Sequence, residues 1–98
     1  MTINRQKDGA TLFLAVKGRL DTTSAPDLQD EISDLEGVSE LVFDLAGLDY
    51  LSSAGLRVFL VAQKAMNASG GKMEIRSPND VVRNVFEITG CADIFTIA

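Results

Sequence analysis

The stretch from Leu41 to Arg76 constrains the fold more than any other part of the chain. It opens with a short apolar run, Leu41-Val42-Phe43-Asp44-Leu45, and closes with an alternating one, Lys72-Met73-Glu74-Ile75-Arg76. Between them, from Ser53 or Ala54 to about Asn67, lie Leu56, Val58, Phe59, Leu60, Val61, Ala62, Ala65 and Met66, with Arg57, Gln63 and Lys64 as a thin polar side. A helix that is apolar almost all round is mostly buried. Ser69-Gly70-Gly71 ends it, because glycine takes the left-handed capping conformation. Strand, buried helix and strand make a βαβ unit, and such crossovers are right-handed in about 98% of cases.

The flanking segments add to this unit. Ile3 to Arg5, the turn-like Lys7-Asp8-Gly9 and the alternating Ala10–Gly18 predict a hairpin with Leu12, Leu14 and Val16 on one face. Arg19 to Ser24 is a polar break ending in helix-capping residues. Ala25-Pro26 then opens an amphipathic helix to Leu35, with Leu28, Ile32 and Leu35 on one stripe. Its acids Asp27, Asp30 and Glu31 crowd the N-terminal half, which suits the helix dipole. Ala46 to Leu51 is expected to be a loop. A last helix follows Ser77-Pro78-Asn79, with Val81, Val82, Val85, Phe86 and Ile88 apolar, and Gly90 stops it. Ile94 to Ile97 adds an edge strand. The expected fold is α/β: a small mixed β-sheet of four to five strands with helices packed mainly on one side. One domain over residues 1–98 is expected at this length.

Composition removes whole classes of function. There is no histidine, which excludes a His-containing triad and a His-ligated metal, and one cysteine, Cys91, cannot build a zinc site. Cys91 reads as a small core residue, and Asp44 as a strand residue facing a helix end. No G-x-x-x-x-G-K-[ST] phosphate loop occurs, so no cofactor and no catalysis are expected. The net charge of −5 comes without a basic cluster, which disfavours nucleic acid and anionic lipid as partners. No apolar stretch of about 20 residues would cross a membrane. The N-terminal residues lack a secretory apolar region, so a cytoplasmic protein whose partner is another protein is expected.

Functional groups in sheets of this kind gather beyond the carboxyl ends of strands, at helix N-termini. Two segments fit: Leu20-Asp21-Thr22-Thr23-Ser24, and Asp49-Tyr50-Leu51-Ser52-Ser53-Ala54-Gly55-Leu56. Ser52 and Ser53 read as helix N-caps. Alternatively, one of them is a phosphoacceptor on a surface of small residues, where a dianion is tolerated by free helix N–H groups but expelled from an interface fitted to a hydroxyl. Gly55 reads as a close helix–strand contact or as part of that surface. Asp21 reads as a loop carboxylate or cap, or as a polar contact flanking the serines.

The segments Gly18–Ala25 (GRLDTTSA) and Phe43–Leu60 (FDLAGLDYLSSAGLRVFL) closely resemble the STAS domain family, and within it the stand-alone anti-sigma-factor antagonists of bacteria. The order of elements agrees across the chain, including Ser77–Gly90 (SPNDVVRNVFEITG). The resemblance implies an antagonist that binds an anti-sigma factor, itself a serine kinase, and so releases a sigma factor. The kinase ends binding by phosphorylating one serine, and a phosphatase reverses it. The matching serine is Ser53, with Ser52 where many members carry aspartate. That departure makes Ser52 a second candidate acceptor, and Ala54 stands where a second serine is common. The implied binding surface is Asp21, Thr22, Thr23, Ser52, Ser53, Ala54, Gly55 and Arg57. The alternative is a STAS subunit of a lipid-transport complex, docking on its ATPase without a phosphorylation cycle.

Overall fold

Alternation in the first twenty residues resolves into a hairpin. In the computed structural model, which describes residues 1–98, strand β1 (Thr2–Asp8) pairs antiparallel with β2 (Thr11–Leu20). Leu12, Leu14 and Val16 are fully buried on one face of β2, as their spacing predicts. Arg19 and Leu20, expected to belong to a polar break, continue the strand. They do so because the second half of β2 has a partner of its own, the parallel strand β4 (Leu48–Leu51). Between the halves, the register slips at Gly18, whose φ of +92° lies in the region that favours glycine. Its N–H donates to the Gly47 carbonyl at 2.9 Å.

Strand β3 (Glu40–Asp44) pairs parallel with the first half of β2 and with β5 (Lys72–Arg76), and the short edge strand β6 (Thr96–Ile97) pairs parallel with β5. The mixed sheet therefore runs β1-β2-β3-β5-β6, with β4 beside β2 past the end of β3. It has six strands; β4 is the one that stands where a loop was expected. Only Leu48 and Leu51 of β4 are buried, so the segment lacks the period of two that marks a strand. Asp44, expected to face a helix end, instead accepts the Ala46 N–H at 3.0 Å and steadies the turn between β3 and β4.

Of the helices α1 (Ala25–Glu31), α2 (Ser53–Ser69) and α3 (Asp80–Ile88), α2 packs on β5, α3 on β4 and α1 against α2. α1 stops short of Leu35 because polar side chains compete for its backbone. The Ser33 hydroxyl donates to the Asp30 carbonyl at 2.8 Å, and Asp34 accepts the Glu36 N–H at 3.1 Å. Phe59 of α2 lies at the centre of the core, edge-on to Phe43 of β3 at 4.9 Å, Phe86 of α3 at 6.2 Å and Phe95 at 6.4 Å. Such pairs add about 0.5–1.5 kcal/mol each beyond their burial. Cys91 is buried with them. Asn79 performs two tasks: its Oδ1 caps α3 by accepting the Val82 N–H at 2.9 Å, while its Nδ2 donates to the Leu48 carbonyl of β4 at 3.0 Å.

Gly55 lies in the first turn of α2, directly over the ends of β2 and β4. A Cβ there would sit 2.5 Å from Leu20 Cγ and 2.8 Å from Leu51 Cδ1. Gly55→Ala gains about 1 kcal/mol of helix propensity, but overpacking a tight contact costs about 1–3 kcal/mol. The expected outcome is net destabilisation, with the melting temperature falling about 4–8 °C for each kcal/mol lost. Thermal unfolding followed by circular dichroism measures it.

Candidate functional site

Strands β2 and β4 run parallel and end together at Leu20 and Leu51. Four residues after β2 comes the N-terminus of α1, and one residue after β4 comes that of α2. The Ser52 N–H donates to the Leu20 carbonyl at 2.9 Å, so the two exits are joined through the backbone. This brings Asp21–Ser24 alongside Ser52–Arg57, the two segments expected to form the site.

Asp21 organises the first segment. Its Oδ1 accepts from the Thr23 hydroxyl at 2.8 Å, the Thr23 N–H at 3.0 Å and the Ser24 N–H at 3.2 Å. Bonds to the charged form favour it. The Thr23 hydroxyl above all, then the Ser24 N–H, hold the Asp21 carboxyl below its ordinary value. Ser24 closes the loop from the other side, its Oγ accepting the Asp21 N–H at 2.9 Å and donating to the Arg19 carbonyl at 2.8 Å.

The two serines differ in environment. Ser52 is extended (φ −90°, ψ 171°), and its Oγ accepts the Gly55 N–H at 3.3 Å, the geometry of an N-cap. It is half-buried. Ser53 is the first helical residue and is exposed, and its hydroxyl bonds to no other group of the chain. No acid occupies the first turn, which leaves the positive end of the helix dipole unopposed.

Thr22 and Thr23 are exposed beside the serines. Ala54 and Arg57 face Thr22 and Pro26 across a shallow groove of about 310 Å³ between α1 and α2. Gly55 is the one expected surface residue that is buried, and it supports the surface through its contact with Leu20 and Leu51. Sequence reasoning missed the contribution of Arg19 and Tyr50. These residues pair across β2 and β4, with the Arg19 guanidinium 4.1 Å from the Tyr50 ring centroid and 4.0 Å from Asp21 Oδ2. Their partnership depends on β4 being a strand, which the local pattern does not reveal. No three His, Cys, Asp or Glu side chains gather as a metal site, and no helix is long and apolar enough to cross a membrane.

Two helix N-termini at adjacent parallel strand ends, with a carboxylate-held loop on one and a free serine on the other, coincide with a family pattern over nearly the whole chain. The STAS domain model matches residues 2–98. The chain belongs to the STAS domain family.

BtrV of Bordetella bronchiseptica, described as a candidate anti-sigma factor antagonist, is 34% identical to this STAS domain over 100 residues, covering 100% of this chain and 86% of BtrV. The anti-sigma-B factor antagonist of Staphylococcus aureus is 28% identical over 101 residues, covering 99% of this chain and 94% of its own. Among solved structures, the anti-sigma factor antagonist SpoIIAA in its unphosphorylated form superposes with a TM-score of 0.87 at 20% identity, over 99% of this chain and 88% of that one. The phosphorylated form of SpoIIAA, from Bacillus, gives 0.80 at 19% identity, over 99% and 91%. These superpositions establish a shared fold.

Two outcomes follow from this geometry. Ser52→Ala removes the cap and is expected to cost about 1 kcal/mol, whereas Ser53→Ala stays within about 0.5 kcal/mol of the parent; denaturant unfolding of both separates cap from non-cap. For Asp21, the folded-state value lies below the ordinary 3.8, so its contribution is present above that pH and is lost as pH falls through the lowered value. The Thr23 and Ser24 amide resonances should titrate with a midpoint below 3.8, and Asp21→Asn should abolish that low-pH transition.

Proposed function

We propose that this STAS domain is an anti-sigma-factor antagonist switched by phosphorylation of Ser53. It binds an anti-sigma factor that is also a serine kinase, and a sigma factor held by that protein is released. The observation that carries this reading is the difference between the two serines. Ser52 is committed to the cap, while Ser53 presents a free hydroxyl on the exposed first turn.

The chemistry is a phosphoryl transfer from ATP bound by the partner. Ser53 Oγ bonds to the γ-phosphorus, the bond from that phosphorus to the bridging oxygen of ADP breaks, and the hydroxyl proton passes to a base on the kinase. The product carries about −1.5 to −2 charge at pH 7. It stands beside helix N–H groups that accommodate an anion, and Ser52 keeps its bond to Gly55. A partner surface fitted to a hydroxyl must then desolvate a dianion. A penalty of about 4 kcal/mol weakens binding roughly a thousandfold. A phosphatase that hydrolyses the phosphoserine restores the hydroxyl.

The names of the relatives support the antagonist role, and SpoIIAA, whose fold this chain shares, has been solved both unphosphorylated and phosphorylated. The test is capture from native lysate, with ADP present, on Ser53→Ala and Ser53→Asp chains. Retention of a serine kinase by the alanine chain and its loss on the aspartate chain is the expected result. Equal retention by both chains overturns the switch, and a transporter ATPase held by both would point to the lipid-transport alternative.

A further inference from the structure

Beyond the Ser53 face, α2 borders a second groove. Leu60 and Val61 on its outer side face Ile94, on the segment leading to β6, across a space of about 360 Å³. Val61 is 40% exposed and Ile94 54%. Arg57 and Lys64 flank the apolar pair, so positions 57, 60, 61 and 64 follow the i, i+3, i+4, i+7 spacing of one helix face. No acid lines the groove, and neither cation forms an ion pair. In a chain with 14 acids and 9 bases, this is a local positive surface over an apolar floor.

Gln63 adds an independent observation. It is only 8% exposed and borders the same groove. Its Nε2 donates to Asn67 Oδ1 at 3.0 Å, while its Oε1 has no partner. Turning the amide over moves the deficit to the nitrogen without removing it. Buried polar atoms are almost always hydrogen-bonded in native proteins. A peptide laid in the groove covers Leu60, Val61 and Ile94 with its apolar side chains and meets Arg57 and Lys64 with its carboxylates, while a bond to Gln63 Oε1, which has no exposed surface, requires that side chain to turn outward.

We propose that this groove is a second contact for the protein that reads Ser53, and that it takes a segment of that protein carrying apolar and acidic side chains. The inference rests on the Ser53 reading above. Arg57 lines this groove and also the one between α1 and α2, so a single partner lying along α2 covers both.

The test is site-specific photo-crosslinking of the full chain in its own cells, with benzoylphenylalanine at Val61, at Ile94 or at Ala54. Val61 and Ile94 are expected to label the protein that Ala54 labels, within a segment that peptide sequencing finds to carry Asp or Glu beside apolar residues. Lys64→Glu should reduce labelling at Val61 and Ile94 by about fivefold. Absence of labelling at those two positions, a protein different from the one Ala54 reaches, or a segment without acids overturns the proposal. The Ser53 reading fails separately, if the protein labelled at Ala54 is not a serine kinase or is labelled equally well by the Ser53→Asp chain. Silence at all three positions overturns both.

Discussion

The site depends on the last three residues of β2. The first half of that strand is shared between β1 and β3, as a central strand usually is. Its pairing with β3 ends at Ala15, and from Gly18 on it pairs with β4 instead. Without that extension, β3 would run into α2 through an unsupported loop, and the two helix N-termini would have no common footing. With it, two parallel strands end in step, and the hydrogen bond from the Ser52 N–H to the Leu20 carbonyl fixes the distance between the segments that follow. The burial of Leu20 and Leu51 anchors this arrangement in the core.

Much of this was legible in the residues. The apolar run of α2 between two short strands dictated the βαβ unit, and the alternation of Leu12, Leu14 and Val16 gave the hairpin. The phenylalanine contacts then tie sheet and helices together as those patterns imply. The serine and aspartate segments were found because capping residues stand at helix starts, and their adjacency came from the family pattern. What stayed hidden has a physical cause in each case. β4 owes its existence to the ladder it completes with β2, not to its own alternation. The early end of α1 reflects local bonds from Ser33 and Asp34 that hydrophobic spacing does not register. Arg19 and Tyr50 meet only because β4 is a strand.

The local division of labour also explains how adjacent serines can be told apart. A cap residue sits in extended conformation with its oxygen turned back onto the helix, whereas the residue after it projects outward from the first turn. At Ser52 a modification would compete with the structure. At Ser53 it adds to the surface alone. The close seat of Gly55 on Leu20 and Leu51 reinforces the distinction, since it leaves the first turn little freedom to shift. Under the proposed switch, two surface states would share one backbone.

Asn79 extends the foundation of the site into the last third of the chain. One side-chain amide both starts α3 and grips the carbonyl of Leu48, the first residue of the strand that delivers α2. Helices two and three are thus founded on the same four-residue strand. The serine-bearing turn consequently inherits its steadiness from an element more than twenty residues downstream in sequence. Loosening α3 would therefore blur the geometry seen by a partner as well as uncover Val82 and Phe86.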